Sequence, residues 1–179
     1  MRRLTILTLF LFAVTQDAYC RSFEFRYVLE LARGGDAIPV SPLSGFEAGD
    51  RLRVRLLASQ DSYCYLAVGR PDGYFELAPG PVIATADWIE LPDDGWLRFD
   101  RWPGVEMLYL IVTSQPVPEV ERLQAACRFS ESALLKIRSL YQTGVTSERV
   151  AAGALVRMRH KAGDCRPFVV LEPIRLRHR

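Results

Sequence analysis

Apolar and polar residues alternate along most of the first two thirds of the chain, as in β-strands that bury one face. The alternation is most regular over residues 23–32 and 51–56. Turn signals such as Pro71-Asp72-Gly73 separate the segments. The further predicted strands are residues 62–69, 74–77, 96–99 and 107–113. Many short strands joined by turns predict a β-rich fold, either an antiparallel β-sandwich of immunoglobulin-like general architecture or a partly open barrel.

The pattern becomes helical after Pro118, and we predict a helical segment over residues 119–143. Proline and acidic residues suit the first turn of a helix, which places one short helix at residues 119–128. Ser130 is a suitable N-cap for a second helix over residues 131–141. One or two short helices are therefore expected between the core strands.

The carboxyl-terminal region is expected to form a hairpin within residues 154–176. Its two strands would be residues 154–160 and 168–176, in which basic and apolar side chains alternate. The polar stretch around Cys165 offers a connection between them. This hairpin would present its basic residues on one face.

The first twenty residues have the three parts of an export signal. Two arginines are followed by a mostly apolar stretch, residues 4–14, and then by a polar region that ends at Cys20. The apolar stretch is shorter than the roughly 20 residues that a membrane-spanning helix needs. Small residues before Arg21 favour cleavage there, so we predict a signal peptide over residues 1–20 and a periplasmic or secreted protein. A lipoprotein acylated at Cys20 and an uncleaved anchor are the alternatives.

Size and charge limit the classes of protein that the chain fits. Without the predicted signal peptide, residues 21–179 have a length that suits a single β-rich domain with its own core. The chain has 23 basic and 21 acidic residues, and its formal net charge is +2. This balance gives no reason to expect a nucleic acid as partner. A second apolar stretch of spanning length does not follow, so we expect no transmembrane segment after cleavage.

Three cysteines remain after the predicted cleavage, and an exported chain meets oxidising conditions. Cys64 shares a strand face with Leu66 and is expected to be a buried thiol. Cys127 follows a helical stretch and Cys165 lies in a polar loop, and we predict a disulfide bond between these two. In the chain-entropy model, closing this loop would stabilise the fold by about 4 kcal/mol.

Residue types for catalysis or metal binding are sparse. The chain has two histidines, His160 and His178, and it has no Gly-x-Ser-x-Gly motif for a hydrolase nucleophile. It also lacks the Cys-x-x-Cys and His-x-x-x-His spacings of metal sites. We therefore expect no catalytic, cofactor-binding or metal-binding residues. A hydrolase that uses two carboxylates stays open, because their separation in space decides whether they can act together.

Two groups of side chains are candidate binding surfaces. The aromatic platform consists of Trp88, Trp96 and Trp102. These rings would stack on sugars in a carbohydrate-binding module, or else pack in the core. The basic stripe of the terminal hairpin consists of Arg157, Arg159, Arg175 and Arg177. It would meet an acidic partner, or else form a solvated face.

A set of short motifs between residues 23 and 118 resembles a bacterial family, domain of unknown function 4384. The shared motifs are an aromatic-x-x-Gly-Asp entry to a strand, a Tyr-x-Tyr strand and a Pro-Gly-x-Glu turn before an apolar strand. The matching residues here are Phe46, Gly49, Asp50, Tyr63, Tyr65, Pro103, Gly104 and Glu106. The resemblance implies an extracytoplasmic β-domain of envelope proteins, and it carries no known catalytic residues.

The motif residues also have plain structural interpretations. Gly49 and Asp50 suit a tight turn in which the aspartate accepts backbone N–H groups. Tyr63 and Tyr65 share one face of their strand, where they would anchor the sheet or form a binding platform. Residues 103–106 suit a turn with a charge at its exit.

These features predict an exported, non-enzymatic domain of the cell envelope whose partner is another envelope protein. An exposed strand edge or the basic stripe would supply the contact. A carbohydrate-binding module that uses the aromatic platform is the alternative. An uncharacterised hydrolase is the more distant one.

Overall fold

Two β-sheets and two short helices make up the protein in a computed structural model. The structure describes residues 23–78, 82–84, 86–93, 95–99, 103–141, 146–152, 154–161 and 167–179. In chain order the elements are β1 (Phe23–Ala32), β2 (Ala37–Val40), β3 (Gly45–Phe46), β4 (Arg51–Ala58), β5 (Ser62–Gly69), β6 (Tyr74–Leu77), β7 (Val82–Ala84), β8 (Ile89–Leu91), β9 (Leu97–Arg98), β10 (Gly104–Thr113), α1 (Pro118–Ala126), β11 (Phe129–Ser130), α2 (Glu131–Tyr141), β12 (Thr146–Ala152), β13 (Leu155–Lys161) and β14 (Val169–His178). The predicted signal peptide, residues 1–20, lies outside the described residues.

The first sheet, sheet A, is built around β1 and β4. Its strands follow the order β12-β13-β1-β4-β8, and β2 and β9 pair with β1 and β4 respectively. All of these pairings are antiparallel. Tyr27 of β1 lies opposite Val156 of β13 and Leu56 of β4. Because side chains alternate between faces along each strand, this register collects the apolar residues of all three strands on one face.

The second sheet, sheet B, has β10 at its centre. Its strands follow the order β11-β6-β5-β10-β14-β3, and β7 pairs with β5. β10 and β14 pair over ten residues, from Gly104 opposite His178 to Thr113 opposite Val169. Residues 108–112 of β10 are apolar without alternation, which is typical of a strand that is buried on both faces.

The main core lies between the two sheets. Phe25, Leu29 and Val54 from sheet A meet Leu66 and Leu110 from sheet B, and each of the five is at most 1% exposed. Removing this apolar surface from water is the main favourable contribution to folding. The predicted β-sandwich with short helices is confirmed.

The two helices cover the outer face of sheet B and form a second core. Pro118 occupies the first turn of α1, as the sequence predicts. Leu134 and Ile137 of α2 are buried together with Tyr65 of β5 and Ile111 of β10. Sheet B is therefore apolar on both faces, whereas sheet A has one apolar face. In the described ranges, no helix is long and apolar enough to cross a membrane.

The prediction of a terminal hairpin within residues 154–176 is wrong. β13 pairs with β1 and β12 in sheet A, whereas β14 pairs with β10 and β3 in sheet B. The chain therefore crosses from one sheet to the other between these strands. β14 gains a ten-residue apolar partner in β10, while β13 forms its hairpin with β12, a strand that the sequence pattern does not predict.

The turn predicted at residues 103–106 also needs correction. β10 begins at Gly104, so Gly104 and Glu106 belong to the strand and not to a turn, because pairing with β14 extends to His178. The helical segment predicted over residues 119–143 contains the two expected helices, α1 and α2, and the short strand β11 between them is not predicted from the sequence. β11 pairs with β6 and adds a short edge to sheet B.

Candidate functional site

Charged and aromatic side chains occupy the outer face of sheet A, which faces away from the main core. We call this surface the arginine face. It consists of Arg26, Arg51, Arg53, Arg55, Arg98, Arg157, Arg159, Glu24, Glu30, Glu90, Trp88 and Trp96. Seven arginines and three glutamates leave this set with an excess of four positive formal charges.

Strand periodicity places these residues together. In β4, Leu52 and Val54 are fully buried, and the arginines that alternate with them point to the other face. The register then sets Glu30 of β1 opposite Arg53, and Glu90 of β8 opposite Arg55. Opposite charges on directly paired residues stabilise adjacent strands.

One half of the face is organised around Glu24. Its carboxylate accepts hydrogen bonds from Arg26 at 3.0 Å, Arg157 at 2.6 Å and Arg159 at 3.3 Å. The hydrogen bond from Arg157, opposed by burial and assisted by Arg26, lowers the pKa of Glu24 to about 2. Glu24 therefore holds three arginines of β1 and β13 in fixed positions.

A second cluster lies around Glu30, which is 7% exposed. Arg53 donates to its Oε2 at 2.8 Å and Arg55 to its Oε1 at 3.0 Å, and Arg53 also donates to Glu90. Burial raises the pKa of Glu30, but hydrogen bonds from Arg55 and Arg53 outweigh it, so that the pKa lies below its usual value. The middle of the face is thus neutralised by its own acids.

Two tryptophans lie against these arginines. The guanidinium carbon of Arg53 lies 4.4 Å from the ring centroid of Trp96, and that of Arg51 lies 5.7 Å from it. Arg55 lies 5.3 Å from the centroid of Trp88, whose side chain is 40% exposed. These are cation–π distances, so both rings hold arginines in place. The predicted aromatic platform is not tested as a whole, because Trp102 lies outside the described residues.

Arg51 and Arg98 form a different corner of the face. They lie directly opposite each other on β4 and β9, and both are exposed. On the other side of Arg51 the paired residue is Ala32 of β1. Within the described residues, neither arginine forms an ion pair with an acid. The three arginines around Glu24 also keep an excess of two positive charges, but each of them binds that carboxylate, whereas Arg51 and Arg98 have no such partner among the described residues.

The predicted basic stripe is not one surface. Arg157 and Arg159 lie on sheet A and bind Glu24, whereas Arg175 and Arg177 are exposed on β14 of sheet B. The predicted stripe does not form because its two strands, β13 and β14, belong to different sheets. Sequence reasoning identified two arginines of the face and missed the other five. The charge–aliphatic alternation of residues 51–56 was the available signal, but it indicates only a solvated face.

The family-like residues have structural surroundings. Phe46 is fully buried and stacks on Phe99 at 4.9 Å between ring centroids. Gly49 has φ +87°, and Asp50 accepts the backbone N–H of Glu47 at 2.8 Å, so the predicted tight turn is confirmed. Arg33 donates to both carboxylate oxygens of Asp50, at 2.8 and 2.6 Å.

Tyr63 and Tyr65 face the helices. Tyr65 is fully buried, and its hydroxyl donates to Glu121 of α1 at 2.8 Å, while Tyr63 packs against the same core. These two tyrosines therefore anchor sheet B rather than form an open platform. At the start of β10, Pro103 is exposed and Glu106 lies 4.0 Å from Nδ1 of the buried His178.

The cysteine predictions are partly confirmed. Cys64 is fully buried between the sheets, and burial raises the pKa of its thiol to about 12. Cys127 is an exposed free thiol, which does not support the predicted bridge. Its expected partner Cys165 lies outside the described residues, so the pairing itself stays a prediction.

Candidate catalytic groups do not gather around the histidines in the described structure. The side chain of His178 is fully buried beside Phe99. The side chain of His160 is not among those that the structure describes. Among the described residues, no three histidine, cysteine or acidic side chains are grouped as they would be in a metal site.

Replacing Glu24 tests the electrostatics of the face. The folded-state pKa of about 2 lies below the ordinary glutamate pKa of 4.5, so Glu24 stabilises the fold at neutral pH, and this contribution is lost as the pH falls towards 2. We expect Glu24→Gln to lower the free energy of unfolding at neutral pH and to flatten its decline in acid. Denaturant unfolding at several pH values measures both. The exposed Glu47→Gln is the control, and an identical decline in the two variants would contradict the role of Glu24.

Comparison with known proteins assigns no relatives. No family model, no curated protein and no solved structure matches this chain. The resemblance to domain of unknown function 4384 therefore stays an expectation from the motif residues alone.

Proposed function

We propose that the protein is an exported, non-enzymatic domain of the cell envelope that binds another envelope protein through the arginine face. The observation that carries the proposal is the stacking of Arg51, Arg53 and Arg55 on Trp96 and Trp88 at the partly exposed outer face of sheet A. Arginine and tryptophan are the residue types that contribute most to binding energy at protein interfaces.

The ion pairs of the face prepare it for a rigid partner. Glu24 and Glu30 each fix two or more guanidinium groups, so these long side chains lose little further freedom when a partner binds. Ordering such side chains at an interface otherwise costs about 0.5–1.5 kcal/mol each. The arrangement favours a partner with a surface of mixed charge.

The same contacts favour a protein over a sugar as the ligand. A sugar ring stacks on an open aromatic face, but a guanidinium group already lies over the rings of Trp88 and Trp96. Trp88 nevertheless keeps 40% of its surface exposed. Carbohydrate binding therefore stays in the experiment as an outcome.

Paired arginine substitutions test the proposal, because the chain provides a matched control. The protein is expressed with its own residues 1–20 and captured from the envelope fraction, and an intact mass that begins at Arg21 checks export. Proteins retained by the wild type are identified, purified and titrated. We expect Arg157→Gln/Arg159→Gln and Trp88→Ala each to weaken binding about tenfold or more. The control, Arg175→Gln/Arg177→Gln, removes the same charge from sheet B and should bind as the wild type does.

Three results would contradict the proposal. The first is equal binding by all variants, which would place the contact elsewhere. The second is loss of binding only in the control, which would place it on sheet B. The third is a glycan that binds the wild type and is lost in Trp88→Ala, which would favour the carbohydrate-binding module. Thermal unfolding of each variant shows whether the fold is kept.

A further inference from the structure

The Arg51–Arg98 corner is electrostatically unfavourable for the protein alone. The two residues are directly paired across β4 and β9, and like charges in such pairs destabilise a sheet. The other acids of the face do not compensate, because Glu30 and Glu90 already bind Arg53, and Glu30 also binds Arg55. A folded domain would gain stability from an acid at either position.

Trp96 restricts the direction of the guanidinium groups at this corner. The guanidinium carbon of Arg51 lies 5.7 Å from the centroid of its ring, and that of Arg53 lies 4.4 Å from it. An arginine that stacks on an aromatic ring keeps its N–H donors free at the edge of the guanidinium plane. Arg51 can therefore still donate two parallel hydrogen bonds to a carboxylate while it remains stacked.

We propose that this corner binds an acidic segment of the partner protein, whose carboxylates supply the acidic partners that Arg51 and Arg98 do not have among the described residues. This inference rests on the proposed function and names the chemistry of its contact. A carboxylate between Arg51 and Arg98 accepts charge-assisted hydrogen bonds from both residues and removes their mutual repulsion. Binding energy is then gained at a position where two like charges are directly paired in the free domain.

The distribution of charge selects a short acidic segment over an extended anionic surface. Glu24, Glu30 and Glu90 already accept hydrogen bonds from the other arginines of the face, so these arginines have fewer donors left for a continuous layer of anionic lipid or a long polyanion. Among the described residues, Arg51 and Arg98 are the arginines of the face that pair with no acid. A peptide segment with a few carboxylates fits this pattern.

Peptides of defined charge test the inference. A fluorescent oligoglutamate peptide and an oligoglutamine peptide of the same length are titrated with the full chain at low ionic strength, and anisotropy reports binding. We expect the wild type to bind oligoglutamate and not oligoglutamine. Arg51→Gln/Arg98→Gln should weaken oligoglutamate binding about tenfold, which corresponds to about 1.4 kcal/mol. The control Arg175→Gln/Arg177→Gln should bind the peptide as the wild type does.

Stability supplies a second readout. Because Arg51→Gln/Arg98→Gln removes a like-charge pair, its melting temperature should equal or exceed that of the wild type. A clear decrease would show that the two arginines stabilise the fold, and it would overturn the inference. Equal peptide binding by the two double variants would overturn it as well. The inference would also be overturned if anionic vesicles or polyuronate bound more strongly than oligoglutamate and this binding depended on Arg51 and Arg98.

The outcomes separate this inference from the proposed function. One outcome is that Arg157→Gln/Arg159→Gln loses envelope-protein binding while the wild type does not bind oligoglutamate. This outcome contradicts the acidic-segment inference and still supports the arginine face as the binding surface. If every variant of the face keeps both envelope-protein binding and oligoglutamate binding, the acidic-segment inference and the proposed function are both contradicted.

Discussion

Leu110→Ala and Ile111→Ala should each lower the free energy of unfolding by about 2–5 kcal/mol. These neighbours on β10 point to opposite faces of sheet B, yet both are fully buried. Leu110 belongs to the core between the sheets, and Ile111 belongs to the core under the helices. In a sandwich of two layers, one of two consecutive strand residues faces solvent and is insensitive to truncation. Two large losses are therefore expected only if three layers are packed.

Chemical denaturation of the two variants measures these losses. Val105→Ala is the matched control, because Val105 lies on the same strand and is 63% exposed. The control should change stability by no more than about 0.5 kcal/mol. A loss of less than about 1 kcal/mol for Ile111→Ala would contradict packing of the helices on sheet B.

Asp50→Ala should lower the free energy of unfolding by about 2–4 kcal/mol. Asp50 is 3% exposed, and its carboxylate accepts two hydrogen bonds from Arg33 and one from the backbone of Glu47. The hydrogen bond from Arg33, opposed by burial and assisted by Glu47, keeps the pKa of Asp50 below its usual value. The substitution leaves the backbone N–H of Glu47 and the guanidinium group of Arg33 without their acceptor, and it releases the turn that leads into β4.

Two further variants separate charge from hydrogen bonding. Asp50→Asn keeps an oxygen acceptor for the Glu47 N–H and should show an intermediate loss. Asp72→Ala removes an aspartate that pairs with Arg128 at the surface, where Asp72 is 54% exposed, and should cost at most about 1 kcal/mol. Equal losses for Asp50→Ala and Asp72→Ala in urea unfolding would show that burial of the Asp50 pair has no effect.

Local sequence patterns predict the individual strands well. β5 and β6 have the expected bounds, and α2 matches the predicted helix at residues 131–141. Each of these elements is specified by a period that belongs to its own residues. β12 escapes prediction because residues 146–152 show no alternation of apolar and polar side chains. Its strand conformation depends on pairing with β13.

The sequence predicts less well how the strands are assigned to sheets. β13 and β14 follow each other along the chain and carry similar basic patterns, but they join different sheets. The choice depends on apolar partners far away in sequence, such as β10 for β14 and β1 for β13. A local pattern holds no information about those partners, so the predicted hairpin fails.

The same limit applies to the candidate binding surface. The sequence identifies Trp88, Trp96, Arg157 and Arg159 as candidates, but it assigns them to two separate surfaces. Sheet pairing brings them onto one face with the arginines of β4. Sheet pairing also decides which arginines bind an acid of the same face and which, like Arg51, do not. The alternation pattern of the sequence does not distinguish these two groups.

Arginine footprinting of the complex is the most direct test of the arginine face as the binding surface. Phenylglyoxal modifies accessible arginines, and mass spectrometry gives the rate at each position with and without the captured partner. Binding should slow modification of Arg51 and Arg98 strongly and leave Arg175 and Arg177 unchanged. Unchanged rates at Arg51 and Arg98, with protection at Arg175 and Arg177, would contradict the assignment and place the partner on sheet B.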